Sequence, residues 1–167
     1  LTLEQIASEG LGLGTDLGLM ITAPVAWLPT ISGVVHDVGV TSYDLSDGMM
    51  LTTETRPRDT NARTDVGLAL FPILSNHTRA TITAEVHDLT TLGEETDFMR
   101  RFHAGAELNI ADFFFLRGGL NQRYWTAGLE FASERFQLQA ATYGEEIGIR
   151  PVTREDRRWV GKISIRF

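Results

Sequence analysis

Glu85, His87, Arg101 and His103 are the residues whose types and spacing come nearest to a chemical site. They fall near the same ends of two consecutive predicted strands. Two imidazoles and a carboxylate are a possible set of metal ligands. The alternative is a hydrogen-bonded wall of polar side chains. We expect the wall, and we predict neither a metal site nor a cofactor.

A serine hydrolase would need a serine and a histidine within hydrogen-bond reach. Ser32 and His36 lie on one face of a predicted strand. Four residues of extended chain separate them by about 13 Å, which is too far for a hydrogen bond. Ser164 has no histidine nearby in the sequence. We therefore predict no catalytic residues and no enzyme.

A larger set of polar residues occupies alternate positions or strand ends along the chain, and we expect these side chains to face the interior of a barrel. The set contains both charge signs in similar numbers, so a strongly selective ion pore is not expected. Either an internal salt-bridge network or a wet channel fits it, because an unpaired buried charge is costly. The predicted interior residues are Asp16, Glu85, His87, Arg101, His103, Glu107, Arg117, Asn121, Glu130, Gln137, Gln139, Lys162 and Arg166.

Strict alternation of apolar and polar residues is the main signal for the elements that position these side chains. Ala80, Ile82, Ala84 and Val86, for example, alternate with polar residues. The usual length of nine to eleven residues suits a tilted strand that crosses a bilayer. The alternation predicts nine strands, at 13–22, 30–39, 64–73, 78–88, 100–110, 113–121, 125–132, 135–143 and 158–167.

The connections between these strands divide into two classes. On one side they are short and carry turn-forming residues: 23–29, 74–77, 111–112 and 133–134. On the other side most are long and polar: 40–63, 89–99, 122–124 and 144–157. Short periplasmic turns with long outer loops are typical of outer-membrane barrels. Aromatic residues fall near both predicted ends, as in the belts of a spanning protein.

The last predicted strand carries a second, independent signal. Trp159, Ile163, Ile165 and the terminal Phe167 lie on one side of it, and Lys162 lies on the other. An exposed apolar edge strand is an aggregation hazard in a soluble protein. This ending resembles the C-terminal signal that barrel-assembly machinery reads in bacterial outer-membrane proteins. A soluble β-sandwich or β-barrel is the alternative.

Composition sets the outer limits of the interpretation. The 167 residues suffice for one domain, with a lead-in at 1–12 and a long outer loop at 40–63. No run of eighteen apolar residues occurs, which argues against membrane helices. The chain has no cysteine, and its net charge of −7 argues against nucleic acid as a partner.

The N-terminal residues and the strand count suggest that the barrel is larger than this chain. The opening segment Leu1–Ile6 has no features of a signal peptide, so we expect an exported protein to have been processed or truncated. Bacterial single-chain barrels have an even number of strands. Nine or ten strands are visible, and we therefore expect a strand before Leu1 and interpret the chain as the C-terminal part of a larger barrel.

Several stretches resemble the FadL-type and PorV-type superfamily of outer-membrane barrels. They are 14–19 with Ala23-Pro24, then 33–39, and the run 116–129. Together with the last strand they cover about half of the chain. The resemblance implies a transporter of hydrophobic compounds, or a shuttle or anchor protein of a secretion system.

We therefore predict an all-β, antiparallel transmembrane barrel in a bacterial outer membrane. The expected function is a channel or transporter for a small, hydrophobic solute. The alternative is a membrane anchor or subunit whose loops bind a partner protein. The expected partners are membrane lipid, lipopolysaccharide, barrel-assembly machinery and other envelope proteins.

Overall fold

The computed structural model describes residues 10–44, 57–91, 97–148 and 152–166. This part of the chain is all-β, with two short 3-10 helices at Leu89–Thr91 and Phe98–Arg100. No helix in it is long and apolar enough to cross a membrane. The strands are β1 (Leu11–Gly12), β2 (Leu17–Thr22), β3 (Thr30–His36), β4 (Tyr43–Asp44), β5 (Arg63–Leu70), β6 (Ile73–Ser75), β7 (Thr78–Val86), β8 (Phe102–Ile110), β9 (Phe114–Asn121), β10 (Tyr124–Ala132), β11 (Phe136–Glu146) and β12 (Glu155–Ile165).

Nine of these strands follow one another in a single antiparallel sheet. Its order is β2-β3-β5-β7-β8-β9-β10-β11-β12, with β6 beside β7. The short strands β1 and β4 pair separately, where the chain leaves β3. The 23–29, 111–113 and 133–135 connections mark what we call the turn end of the sheet, and the opposite end is the loop end.

Each of the nine predicted strands overlaps one strand of this sheet, so the all-β, antiparallel prediction is confirmed. Several predicted bounds differ from the structure, since β2 begins only at Leu17 and β12 already at Glu155, and the predicted strand 64–73 is divided between β5 and β6. Pro72 lies at the break, where it has no backbone N–H to donate to a ladder. Its carbonyl still accepts from the N–H of Ala80, at 2.9 Å.

The register sorts side chains onto two faces. Leu129 of β10 lies opposite Leu116 of β9 and Ala140 of β11. Its neighbour Glu130 lies opposite Phe115 and Gln139, on the other side of the sheet. We call the side that carries Leu129 the apolar face and the side that carries Glu130 the polar face.

The apolar face has no protein layer over it within the described residues. No hydrophobic side chain there is buried. Leu19 of β2 and Ile163 of β12 are 68% and 69% exposed. The described part of the chain therefore lacks the second layer with which a soluble β-domain would cover this face.

The two edges of the sheet are β2 and β12, and neither has a further strand partner among the described residues. Neighbouring strands are antiparallel throughout, so the first and ninth strands run in the same direction, from the loop end to the turn end. Direct pairing of β2 with β12 would be parallel. An antiparallel closure needs an odd number of additional strands between them. The described strands form an open sheet, and the closed barrel remains a proposal.

Candidate functional site

The polar face brings the predicted interior residues together. Glu85 of β7 lies opposite His103 of β8, which in turn lies opposite Asn121 of β9. The predicted residues that lie within strands all share this face: Glu85, His103, Glu107, Arg117, Asn121, Glu130, Gln137, Gln139 and Lys162. Whether this face lines a lumen stays a prediction.

A row of alternating carboxylates and imidazoles crosses the polar face at the loop end. It consists of Asp16, His36, Asp65, His87 and Glu85, and we call it the histidine–carboxylate row. Its members come from β3, β5, β7 and the residues that directly precede β2 and follow β7. Each imidazole lies between two carboxylates.

The first unit of the row joins the start of β2 to the end of β3. Nδ1 of His36 lies 3.3 Å from Oδ2 of Asp16. The other oxygen of Asp16 accepts the backbone N–H of Asp37 at 2.9 Å. Asp37 has a φ of 50°, in the left-handed region, where the chain turns away from the sheet. The hydrogen bond from the Asp37 backbone, followed by that from the His36 ring, lowers the pKa of Asp16.

The second unit repeats the first on β5 and β7. Nδ1 of His87 lies 2.8 Å from Oδ2 of Asp65, and Oδ1 of Asp65 accepts the backbone N–H of Asp88 at 2.9 Å. Asp88, like Asp37, has a positive φ, of 55°. In both units, a His-Asp dipeptide follows the same pattern at the end of a strand. The imidazole contacts one carboxylate oxygen of an aspartate in or directly before the adjacent strand, and the backbone N–H of the following Asp donates to the other oxygen.

The second imidazole nitrogens connect the two units to each other and to Glu85. Nε2 of His36 lies 3.6 Å from Oδ2 of Asp65. Nε2 of His87 lies 2.7 Å from Oε1 of Glu85. The ring of His103 meets the ring of His87 edge-on, with the centroids 4.7 Å apart. Imidazole protons therefore decide which contacts in this row are attractive.

A second charged cluster lies nearer the middle of the sheet. The Arg117 guanidinium donates to Glu107 through Nε at 2.6 Å and to Glu130 through Nη1 at 2.7 Å. The side-chain amide of Gln137 donates to the other oxygen of Glu130. The Glu130 side chain is only 8% exposed. We call these four residues the Arg117 cluster, in which both carboxylates contact the one guanidinium.

Glu146 holds the loop end together above the sheet. One of its carboxylate oxygens accepts the backbone N–H groups of Gly148 and Arg154, at 2.8 and 2.6 Å. The other accepts the Tyr124 hydroxyl at 2.9 Å and lies 3.6 Å from Nε of Arg123. The Glu146 side chain is 2% exposed, so it ties the β11–β12 connection to the β9–β10 hairpin.

Four predicted interior residues lie just outside the strands: Asp16 and His87, which belong to the histidine–carboxylate row, and Arg101 and Arg166. Arg101, just before β8, is buried and donates to the backbone carbonyl of Asp88 at 2.6 Å, so it supports the loop end. Arg166 follows β12 and is exposed. Of the predicted assembly residues, Trp159, Ile163 and Ile165 are exposed on the apolar face. Phe167 lies outside the described residues, as do residues 45–56 of the predicted outer loop 40–63.

The structure adds two members to the site that the sequence pattern did not indicate. His36 has partners in Asp16 and Asp65, and Asp65 contacts both histidines. The two His-Asp dipeptides, at 36–37 and 87–88, are the sequence signal that could have indicated a repeated unit.

The geometry does not support a Ser–His hydrolase pair or a metal site. The His36 ring faces Asp16 and Asp65, so it does not form a pair with Ser32. Among the described residues, no group of three or more His, Asp or Glu side chains has an arrangement that could hold a metal ion.

Comparisons of the chain with family models, curated proteins and solved structures found no match. The resemblance to the FadL-type and PorV-type superfamily therefore stays a prediction. Any functional conclusion depends on the two faces of the sheet and on the histidine–carboxylate row.

Proposed function

We propose that this chain forms the wall of an outer-membrane β-barrel, with its apolar face toward lipid and its polar face along a passage for a small solute. The observation that carries the proposal is the apolar face itself. Leu17, Ile82, Leu129 and Ile163 are all at least 38% exposed, on strands from one edge of the sheet to the other. A water-exposed apolar surface of this extent is an aggregation hazard, whereas lipid would cover it.

Strand length and loop distribution support the same proposal. The strands β7 to β12 have eight to eleven residues, close to what a tilted strand needs to span a bilayer. The connections at the turn end of β8–β9 and β10–β11 have three residues each, 111–113 and 133–135. At the loop end, β3–β5 and β7–β8 are joined by the long segments 37–62 and 87–101.

Aromatic side chains on the apolar face are placed as in the girdles of spanning barrels. Trp125 and Trp159 lie toward the loop end, and both are more than half exposed. Phe113 and Phe131 meet at the turn end, with ring centroids 6.1 Å apart. Tyr124, in contrast, lies on the polar face and donates to Glu146.

The polar face favours a hydrophilic solute. It presents carboxylates, imidazoles, amides and hydroxyls, among them Glu85, Gln139 and Thr83. A hydrophobic solute, which the family resemblance implies, would need apolar side chains along its route. We therefore propose water and small polar or ionic solutes as the class that passes, and we propose no catalytic role.

An anchor or subunit role is the second candidate, and the loop end favours it. Glu146 accepts the backbone N–H groups of Gly148 and Arg154, which follow β11 and precede β12. Phe98 and Ile147 remain about half exposed there. A loop region that is held in place with apolar side chains exposed is a suitable surface for another envelope protein.

The test of the membrane proposal is heat-modifiability. The detergent-folded, unboiled chain should migrate differently from a boiled sample in electrophoresis, and its circular dichroism should be rich in strand. Strand content that persists in plain buffer without a mobility shift would contradict the proposal and favour a soluble β-domain.

A pair of variants makes this test specific to the two faces. Leu129→Arg places a charge on the apolar face and should destabilise the lipid-folded state by about 2–4 kcal/mol, as a charge near the bilayer midplane does. Gln139→Arg places the same charge on the polar face and should change stability little. Equal effects of the two variants, measured by urea unfolding from lipid vesicles, would contradict the assigned orientation of the sheet.

A further inference from the structure

We propose that protonation of His36 and His87 sets the ion preference of the passage. With both imidazoles neutral, the loop end prefers cations. With both protonated, that preference weakens. This inference rests on the proposed passage along the polar face and names both the solute class and its regulation.

The charge of the histidine–carboxylate row changes threefold with the state of its imidazoles. Asp16, Asp65 and Glu85 contribute three negative charges. Two neutral imidazoles leave the row at −3, and two protonated imidazoles bring it to −1. The Asp16 and Glu85 side chains are 60% and 52% exposed, so ions and protons in solution reach the row directly.

The geometry at His87 gives the reason why the proton matters. A neutral imidazole has one N–H donor and one bare nitrogen acceptor. Both ring nitrogens of His87 lie within 2.8 Å of a carboxylate oxygen, of Asp65 on one side and Glu85 on the other. Only the imidazolium can donate to both. In the neutral ring, a lone pair faces an anionic oxygen, and one contact becomes repulsive.

His36 occupies the equivalent place in the first unit, between Asp16 at 3.3 Å and Asp65 at 3.6 Å. Asp65 therefore contacts both imidazoles. Burial by itself lowers the pKa of His87. The hydrogen bonds from Asp65 and Glu85 outweigh burial, so the pKa of His87 is raised.

The charged side chains around the row do not offset its net charge, so the change of that charge with pH comes from the imidazoles. Two cations and two anions border the row, together with a third imidazole against the ring of His87. The neighbours are Arg63 opposite His36, Arg101 and Asp88 beyond β7, Asp37 after β3, and His103 on β8. The Asp37 carboxylate accepts the Thr41 hydroxyl at 2.7 Å, and Arg101 contacts Asp88. These two anions and two cations balance, so they do not cancel the charge of the row.

The experiment is a reversal-potential measurement in a planar lipid bilayer, with the full chain and a potassium chloride gradient. The ratio of cation to anion permeability should rise several-fold between pH 5 and pH 8. The His36→Asn, His87→Asn double variant keeps the row at −3 at both pH values. It should prefer cations throughout and show little pH dependence.

His77 provides a matched control. It lies in the turn between β6 and β7, at the opposite end of the sheet. His77→Asn should keep the full pH dependence of the permeability ratio. Proton NMR of the His87 imidazole C2–H group, followed against pH in detergent, should show that His87 loses its proton over the pH range in which the permeability ratio changes.

The outcomes separate this inference from the proposed function. A conducting protein whose permeability ratio does not change with pH would overturn the inference and leave the passage intact. A pH dependence that survives in the double variant, or that His77→Asn abolishes, would also overturn it. Absence of conductance from a heat-modifiable, lipid-inserted chain would overturn the proposed passage, and the inference would fail with it.

Discussion

Two arrangements in which a basic side chain lies between two carboxylates are present on the polar face, and they differ in the basic side chain. In the Arg117 cluster, a guanidinium lies between Glu107 and Glu130. In the histidine–carboxylate row, the imidazole of His87 lies between Asp65 and Glu85. Arginine keeps its charge at every pH that proteins experience, whereas histidine loses its charge close to neutral pH.

Position in the sheet reinforces this difference. The Arg117 cluster is near mid-strand, and its Glu130 side chain is nearly buried. The histidine–carboxylate row is at the loop end, where the His87 and Glu85 side chains are roughly half exposed. A fixed, paired charge suits the interior of a wall, and a titratable row suits the mouth of a passage. Similar geometry therefore serves stability in one region and, in our proposal, ion control in the other.

Within this comparison of the two regions, the largest effect is expected from removing the fixed cation. Arg117→Met leaves Glu107 and Glu130 without their shared partner and should destabilise the fold by about 2–3 kcal/mol, between the costs of an unsatisfied buried group and a broken buried ion pair. Urea unfolding from lipid vesicles measures this change.

Arg79→Met is the matched control for that variant. Arg79 pairs with Asp112 at 2.5 Å, but both side chains are well exposed. Its loss should cost less than about 1 kcal/mol, as expected of a surface ion pair. Equal costs for the two variants would contradict a special role for the Arg117 cluster.

A smaller effect is expected at the glycine between the two regions. Gly119 of β9 lies opposite Gly105 of β8, and a Cβ atom there would collide with the carbonyl oxygen of Ala104. Gly119→Ala should force β8 and β9 apart and destabilise the fold by about 1–2 kcal/mol. Gly161→Ala is the control, because a Cβ atom added at Gly161 would meet nothing within 4 Å. If Gly119→Ala leaves the free energy of unfolding unchanged in the same assay, the close approach of β8 and β9 is not required for stability.

The smallest effect is expected from the titratable cation. Because the folded-state pKa of His87 is raised, its ion pairs stabilise the fold fully below the unfolded-state value of about 6.5. That contribution is lost as the pH rises through the folded-state pKa. His87→Asn should therefore be destabilising relative to the unmodified chain near pH 5, by less than about 1 kcal/mol for so exposed a pair.

The difference in free energy of unfolding between the unmodified chain and the His87→Asn variant should shrink by pH 8. Unfolding curves at both pH values measure it. A difference that grows with pH would show that the imidazole proton does not contribute to stability in this way.

The sequence predicted the strands better than the partners of the side chains. Alternation identified nine strands because a sheet with one apolar face repeats every two residues. It missed β1 and β4, because a strand of two residues is too short to give a periodic signal. It also missed the break at Pro72, which interrupts the ladder without interrupting the apolar pattern.

The candidate site was predicted only in part, for a related reason. Glu85, His87 and His103 were expected to lie together because their strands are consecutive. The sequence predicts no partner for His36 or Asp65, since alternation shows which face a residue occupies but does not show which residue lies opposite it. The contact between His87 and Asp65 joins positions 22 apart, and it depends on the register of β5 against β7.

The sequence by itself determined the all-β class, the strand positions and the polar character of one face, because these follow from local alternation and turn chemistry. Only the tertiary structure decided how the strands are registered, and therefore which charges meet. Register depends on hydrogen bonds between segments far apart in the chain. It is register that places an arginine between two glutamates in mid-sheet and a histidine between an aspartate and a glutamate at the loop end.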